Sequence, residues 1–346
     1  MRPIRLAFST LATAALSVAA LAGNGAPDAG SLLVFPVMDN TGANVTLITV
    51  TNTNSNMVPI GGTLFGGSVD VHFILVNGTT DQGNFLCEQA DFNRILTPND
   101  TLTINTDSQA LLWDRGYVYV YARSPTTGAA IAWNYLIGSS AVISPTDYYE
   151  LNPFVFKSGR GQVEGANLDP TPGDDTTRDF NGGEYERVFD RIQVPHFWGE
   201  QDEVPVVGGG TLPLAQSDLV LINVTGAGQF TVIANFLLYN DNENEYSAQT
   251  SFRCWTRRRL NSISGMFNNS FLDMVSDNAE IHFGLESGWY RINGGTGSSG
   301  FDGLTNAGIL AVQIGSFRGE TTANLPFTSG INPNDGELLS LENVHN

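Results

Sequence analysis

After about residue 30, short runs of apolar residues alternate with polar ones, and each run is closed by Asn, Gly, Pro or Asp. "SLLVFPV", "VTLITVTN", "VDVHFILVNG", "DTLTINT", "GYVYVYAR" and "AIAWNYLIG" follow one another in this way. Their residues are β-branched or aromatic, and their period is two. No comparable stretch places apolar residues at i, i+3, i+4 and i+7; "ALLWDRG" and "SFLDMVSDN" have room for a helical turn or two. Period-two runs divided by dense turn signals predict an all-β chain of antiparallel sandwiches, Ig-like or jelly-roll-like.

The pattern lapses between about Ser144 and Gly183, where "LDPTPGDDTTRDFNGGE" has almost no large apolar residue and reads as an acidic linker or loop. It then resumes with "VFDRIQVPHF", "DLVLINVTG", "FTVIANFLLYND", "SFRCWTRRRL", "SGWYRING" and "AGILAVQIGSF". The two series run in parallel. "LLVFPV" matches "RIQVPHF", "LITVTN" matches "VLINVT", and "HFILVNG" matches "NFLLYND". "NFLCEQADFNRIL" matches "SFRCWTRRRLNSI", which sets Cys87 over Cys254; "RGYVYVY" matches "SGWYRIN", and "AIAWNYLIGSS" matches "ILAVQIGSFRG". A tandem duplication is expected, with a first sandwich over 23–143, the linker over 144–185, a second sandwich over 186–325 and a tail over 326–346. The competing expectation is one large sandwich with chance similarity.

The first 22 residues are set apart. Arg2 and Arg5 precede an apolar run from Leu6 to Val18, and Ala20-Leu21-Ala22 is a small-x-small cleavage site. These are the three parts of a secretory signal peptide, in a bacterial style, and the apolar run is short for a membrane span. A mature chain from Gly23, exported to the periplasm, the cell surface or the medium and without a membrane span, is the expectation.

Charge narrows the partners. The formal net charge is -19 with a single lysine, Lys157, and loss of Arg2 and Arg5 takes it to -21. Nucleic acid and anionic membrane surfaces carry the same sign and are excluded as partners. Divalent cations are compatible. Asp169, Asp174, Asp175 and Asp179 in the linker are candidate calcium ligands, with Asn181 and Glu184 nearby, although the EF-hand spacing is absent.

Against this acidity, "SFRCWTRRRL" stands out. As one strand it puts Phe252, Cys254, Thr256 and Arg258 on one face, and Arg253, Trp255, Arg257 and Arg259 on the other. Trp255 would lie between guanidinium groups on a solvated face. Three roles are open: arginines offsetting carboxylates of their own chain, a contact between the two halves, or a patch for an anionic glycan. Cys87 and Cys254 form either one disulfide, as an oxidising compartment allows, or two buried thiols.

The second candidate is aromatic. Tyr119 and Tyr121 alternate with valines, and Trp133 and Tyr135 follow across a "SPTTG" turn. Paired as a hairpin, they would form a platform for sugar rings or a neighbouring protein; a one-residue slip would send them to opposite faces. Asp70 with His72, and Glu280 with His282, repeat a carboxylate-x-His pattern, but they fall in different blocks. Gly295, Gly297 and Gly300 have the G-x-G-x-x-G spacing without the helix that would hold a phosphate. No nucleophile elbow, zincin or Walker motif occurs. The expected function is a non-catalytic exported protein with a structural, adhesive or ligand-binding role, whose partners are polysaccharide or other surface proteins. The alternative is an extracellular carbohydrate-active hydrolase or carbohydrate-binding module.

Overall fold

The computed structural model describes residues 29–55, 59–60, 63–64, 67–79, 86–109, 111–168, 177–201, 204–205, 211–212, 215–225, 231–275, 286–295, 306–317 and 319–339. The expected signal peptide lies outside them. The chain is nearly all β, and the main strands form four antiparallel sheets.

From edge to edge, the first five-stranded sheet runs Phe154–Phe156, Leu32–Asp39, Arg115–Arg123, Val69–Asn77 and Gln89–Leu96. Facing it is a four-stranded sheet of Tyr148–Leu151, Leu136–Ile143, Val45–Asn52 and Thr101–Asn105. The second five-stranded sheet runs Phe327–Ser329, Arg191–Trp198, Ser287–Gly294, Thr231–Asn240 and Glu245–Arg253. Its four-stranded companion is Glu320–Asn324, Ile309–Phe317, Ala215–Asn223 and Trp255–Arg259. Numbered along the chain within each half, the strand order of the two halves is the same.

Local chemistry accounts for shared details. Each half opens on a strand whose ladder shifts register at a proline, between Phe35 and Met38 around Pro36, and between Val194 and Phe197 around Pro195. Proline has no N–H for the ladder, so it sits where a bulge removes the need for one. Just past each bulge stands a glycine, Gly116 opposite Met38 and Gly288 opposite Phe197. A Cβ would lie 1.8 Å from the Val76 carbonyl oxygen at Gly116 and 2.3 Å from that of Tyr239 at Gly288. Only glycine fits so close an approach.

Among the described residues, three large apolar clusters stack through the molecule. Leu33, Phe35, Phe73, Val118, Val120 and Trp133 fill the first sandwich. Phe197, Leu219, Leu221, Phe236, Phe267 and Tyr290 fill the second. Between the sandwiches, Leu32, Val34, Tyr119 and Phe156 of the first five-stranded sheet pack on Val220, Ile222 and Val312 of the second four-stranded sheet. Apart from its Gln89–Leu96 edge, the first five-stranded sheet is therefore buried on both faces, and every residue of Leu32–Asp39 and Val69–Asn77 is buried. Alternation there sorts side chains between two cores, where the sequence suggested core and solvent.

The two connecting stretches differ from expectation. Within 144–185, Tyr148–Leu151 and Phe154–Phe156 complete the edges of the first sandwich. Thr177–Phe180 pairs with Gly336–Leu339, inside the expected tail. Phe327–Ser329, also from that tail, joins the second five-stranded sheet. Sparse anchors suffice: Phe154, Phe156, Phe180, Tyr185 and Leu338 are all buried in the inter-sandwich cluster.

Tyr119→Ala removes a fully buried ring from that cluster. It is expected to cost about 3–5 kcal/mol, the usual range for deleting a core aromatic, read as a lower denaturant midpoint.

Candidate functional site

The segment 251–263 divides at Cys254. Glu245–Arg253 is the edge of the second five-stranded sheet, and Trp255–Arg259 lies in the second four-stranded sheet with Ile222 opposite Trp255 and Val220 opposite Arg257. Cys254 has φ +50°, a left-handed turn that carries the chain from one sheet to the other. The alternation expected of a single strand fails at this residue. Trp255 is buried where an exposed position was expected; its indole N–H donates to the Pro36 carbonyl at 2.9 Å. Its ring lies where a Cβ on Gly78 would come within 2.3 Å of it, so the absence of a side chain at Gly78 makes the slot. Pro36 and Gly78 belong to the first sandwich, and Trp255 to the second.

Arg257 crosses the same seam. Its Nη1 lies 3.1 Å from Asp39 Oδ2 in the first sandwich, and its Nε 2.7 Å from Asp218 Oδ2 in the second. Asp39 also accepts from the Thr41 hydroxyl at 2.6 Å and the Thr41 N–H at 3.1 Å, with Arg115 Nε at 3.6 Å. Burial pushes the Asp39 carboxyl up, but the Thr41 donors and the two guanidinium groups outweigh it and hold the pKa below the ordinary value. Burial also pushes the neighbouring Tyr149 up to about 12. Arg259 donates to Gln216 and Arg258 to Thr250, while Arg253 sits exposed on the edge strand. Of the three roles open to these arginines, Arg257 fills the contact between halves and also offsets a carboxylate of its own sandwich.

Cys87 and Cys254 are bonded, with Cα atoms 5.9 Å apart. They do not occupy matching places: Cys87 precedes the edge strand of the first five-stranded sheet, and Cys254 follows that of the second. The other five aligned blocks fall on strands that share a place in the common order.

The aromatic platform does not form. Tyr119, Tyr121 and Trp133 are buried, and Tyr135 is half-buried. The "SPTTG" turn closes with Arg123 opposite Ala130, but Arg115–Arg123 is a central strand with Val34 and Ile74 flanking Tyr119, so Tyr119 cannot pair with Tyr135. Tyr119 and Tyr121 face the seam, while Trp133 points into the first sandwich and donates to Asn52 Oδ1.

Of the calcium candidates, Asp169, Asp174 and Asp175 lie outside the described residues. Asp179 sits on the Thr177–Phe180 strand, and its N–H donates to Glu184. Glu184 also pairs at 2.8 Å with buried Arg178, which stacks 4.8 Å over Tyr121. Asp70 is held by Arg123 at 2.8 Å. Burial, with Arg123 and Arg178 nearby, pushes His72 down to about 3, so its 3.1 Å contact with Asp91 is a neutral ring N–H donating to a carboxylate. Glu280 and His282 lie outside the described residues. Among the described residues, no group of three His, Cys, Asp or Glu side chains is placed to hold a metal, and no helix is long and apolar enough to cross a membrane.

One surface was missed in the sequence. The outer face of the second five-stranded sheet carries Trp289 opposite Tyr239, Arg291 between Gln193 and Leu237, and Asn235 between Asn293 and Gln249. The Trp289 and Tyr239 rings stack at 4.3 Å and 9°, and the Tyr239 hydroxyl donates to Glu245. A groove of about 690 Å³ runs beside them, lined in part by Asn235, Gln249, Arg291 and Asn293. Its signal was present as alternate residues of "ANFLLYN" and "GWYRIN", but nothing in either run told the outward face from the inward one.

No family model matches the chain, and no curated protein matches it. Two solved structures show limited likeness. One is the crystal structure of Thermotoga maritima 1070, at 9% identity and TM-score 0.25, over 37% of this chain and 95% of that one. The other is the cowpea mosaic virus top component, a naturally occurring empty particle, at 9% identity and TM-score 0.19, over 94% of this chain and 98% of that one. At these scores neither carries an argument about fold or function.

Two outcomes follow from the seam. Replacing both cysteines by serine opens a link of sequence separation 167 and is expected to cost about 2–5 kcal/mol, read by thermal or denaturant melting. Asp39→Asn is expected to cost about 2 kcal/mol at neutral pH, the lower end for a hydrogen-bonded charge pair, because Arg257 keeps Asp218. A carboxyl whose folded pKa is lowered stabilises above its unfolded pKa and loses that contribution as pH falls through the folded value. Melting temperature against pH should therefore fall less steeply below about pH 4 in Asp39→Asn than in the parent.

Proposed function

We propose that this chain is a non-catalytic protein exported from a bacterial cell, with a structural, adhesive or ligand-binding role at the surface or outside. The observation that carries the reading is the seam. Cys87–Cys254, buried Trp255 and the Asp39–Arg257–Asp218 bridge join the two sandwiches, and they take up Trp255 and Arg257 of the four residues that otherwise looked like a binding patch. A disulfide of this kind forms and persists in oxidising compartments, which supports export along with the signal-like residues 1–22. The common strand order, the paired proline bulges and the five matching blocks support descent of both halves from one duplicated unit. A second reading, a carbohydrate-binding module, is favoured by the Trp289–Tyr239–Arg291 face.

Export is tested by expressing the chain in a bacterium with and without residues 1–22. The full chain should appear outside the cytoplasm, begin at Gly23 by mass, and show no titratable thiol after denaturation. The shortened chain should stay inside with two reactive thiols. A full chain that stays cytoplasmic, uncleaved and fully reduced would sink the reading.

A further inference from the structure

The outer face of the second five-stranded sheet has a counterpart that reveals its chemistry. Gly116 and Gly288 hold the same place in their sheets, opposite the bulge on one side and opposite Asn77 and Asn240 on the other. Counting from them, Trp289 stands where the first half has Tyr117, Arg291 where it has Tyr119, and Asn293 where it has Tyr121. On the neighbouring strand, Tyr239 stands for Val76, Leu237 for Ile74 and Asn235 for His72. In the first half that face is buried beneath another sandwich, and five of these six residues lie in its apolar cluster. In the second half the same places carry two stacked rings, a guanidinium, two carboxamides and a leucine, with Gln193 and Gln249 adding two more carboxamides beside them.

This is not the composition of a merely solvated face. The outer face of the first four-stranded sheet has that composition, with Thr49 paired to Thr103 and Thr51 to Thr101 through their hydroxyls. Nor does it suit a second copy docking as the two halves dock. Asn52 and Asn223 each end their strand by accepting an N–H two residues on, which puts Thr49 in the place of Val220 and Thr103 in that of Arg257. A second copy would bring threonine where the seam has its arginine.

We propose that this face binds a neutral polysaccharide, with Trp289 and Tyr239 packing on sugar-ring C–H faces and Asn235, Asn293, Gln249 and Arg291 bonding hydroxyls. Carboxamides offer donor and acceptor together, as sugar hydroxyls require, and a groove of about 690 Å³ has the capacity of a ligand site. The net charge of -19 repels polyanions and leaves neutral chains unopposed. The proposal rests on the non-catalytic binding reading and names its ligand class and site.

Native affinity gels test it, using the mature chain with mixed-linkage β-glucan, xyloglucan, galactomannan and arabinoxylan, and with polygalacturonate and alginate as charged controls. At least one neutral polymer should retard the protein. Arg291→Gln and Trp289→Ala should each weaken retardation about tenfold, equivalent to about 1.4 kcal/mol, with melting temperatures close to the parent. Asn235→Ala provides a third variant should Trp289→Ala fail to fold, and tryptophan emission on titration gives an independent readout. Retardation by uronate polymers alone, by no neutral polymer, or undiminished in the variants overturns the site. So does a parent that only self-associates in sedimentation, with the variants relieving it. Reducing ends released from a retained polymer would sink the non-catalytic reading while leaving the site; absence of both retention and release would sink the site and leave the exported structural reading.

Discussion

A sheet with two faces can be satisfied only by two partners, and the first five-stranded sheet has both. Leu33, Phe35, Phe73, Val118 and Val120 close the first sandwich, and Leu32, Val34, Ile74, Tyr119 and Phe156 close against the second. The hydrophobic effect supplies most of this, since each buried side chain of that size contributes about 1.5–3 kcal/mol. Burial is not directional, however. The position of one sandwich on the other is set by groups that are: an indole N–H aimed at one carbonyl, a guanidinium spanning two carboxylates, and a covalent bond beside them.

How far the sequence could be read depends on what each signal encodes. Period-two runs and turn residues are local, so the all-β class and the strands themselves were legible. The phase of a strand relative to the core is not local. "GYVYVYAR" alternates ring and valine, yet the tyrosines lie in one apolar core and the valines in another, so alternation offered no clue to exposure. Cys254 broke the period in the other candidate: a left-handed residue inside an apparent strand moved Trp255 to the interior. Glycine would have flagged such a turn; cysteine did not.

Composition misled at the joints. The stretch after Ser144 is poor in apolar residues, and a window average makes it a linker. A few aromatic anchors at the right spacing are enough to seat its short strands, because the apolar surface that receives them already exists. Phe180 and Tyr185 are fully buried while most of their neighbours are polar. Acidic residues there take on structural work too, as Glu184 does in holding Arg178 over Tyr121.

The Cys87–Cys254 link also changes how the molecule would answer a mechanical pull. Tension applied at the two ends travels along the backbone to Cys87, crosses the sulfur bridge, and continues from Cys254. Everything between them, including most of the first sandwich beyond its third strand and the first four strands of the second, lies in a closed loop and bears none of it. Strands outside that loop carry the load; tension extends those inside only after the bridge is reduced. Such a shortcut confines stretching to the strands before Cys87 and after Cys254.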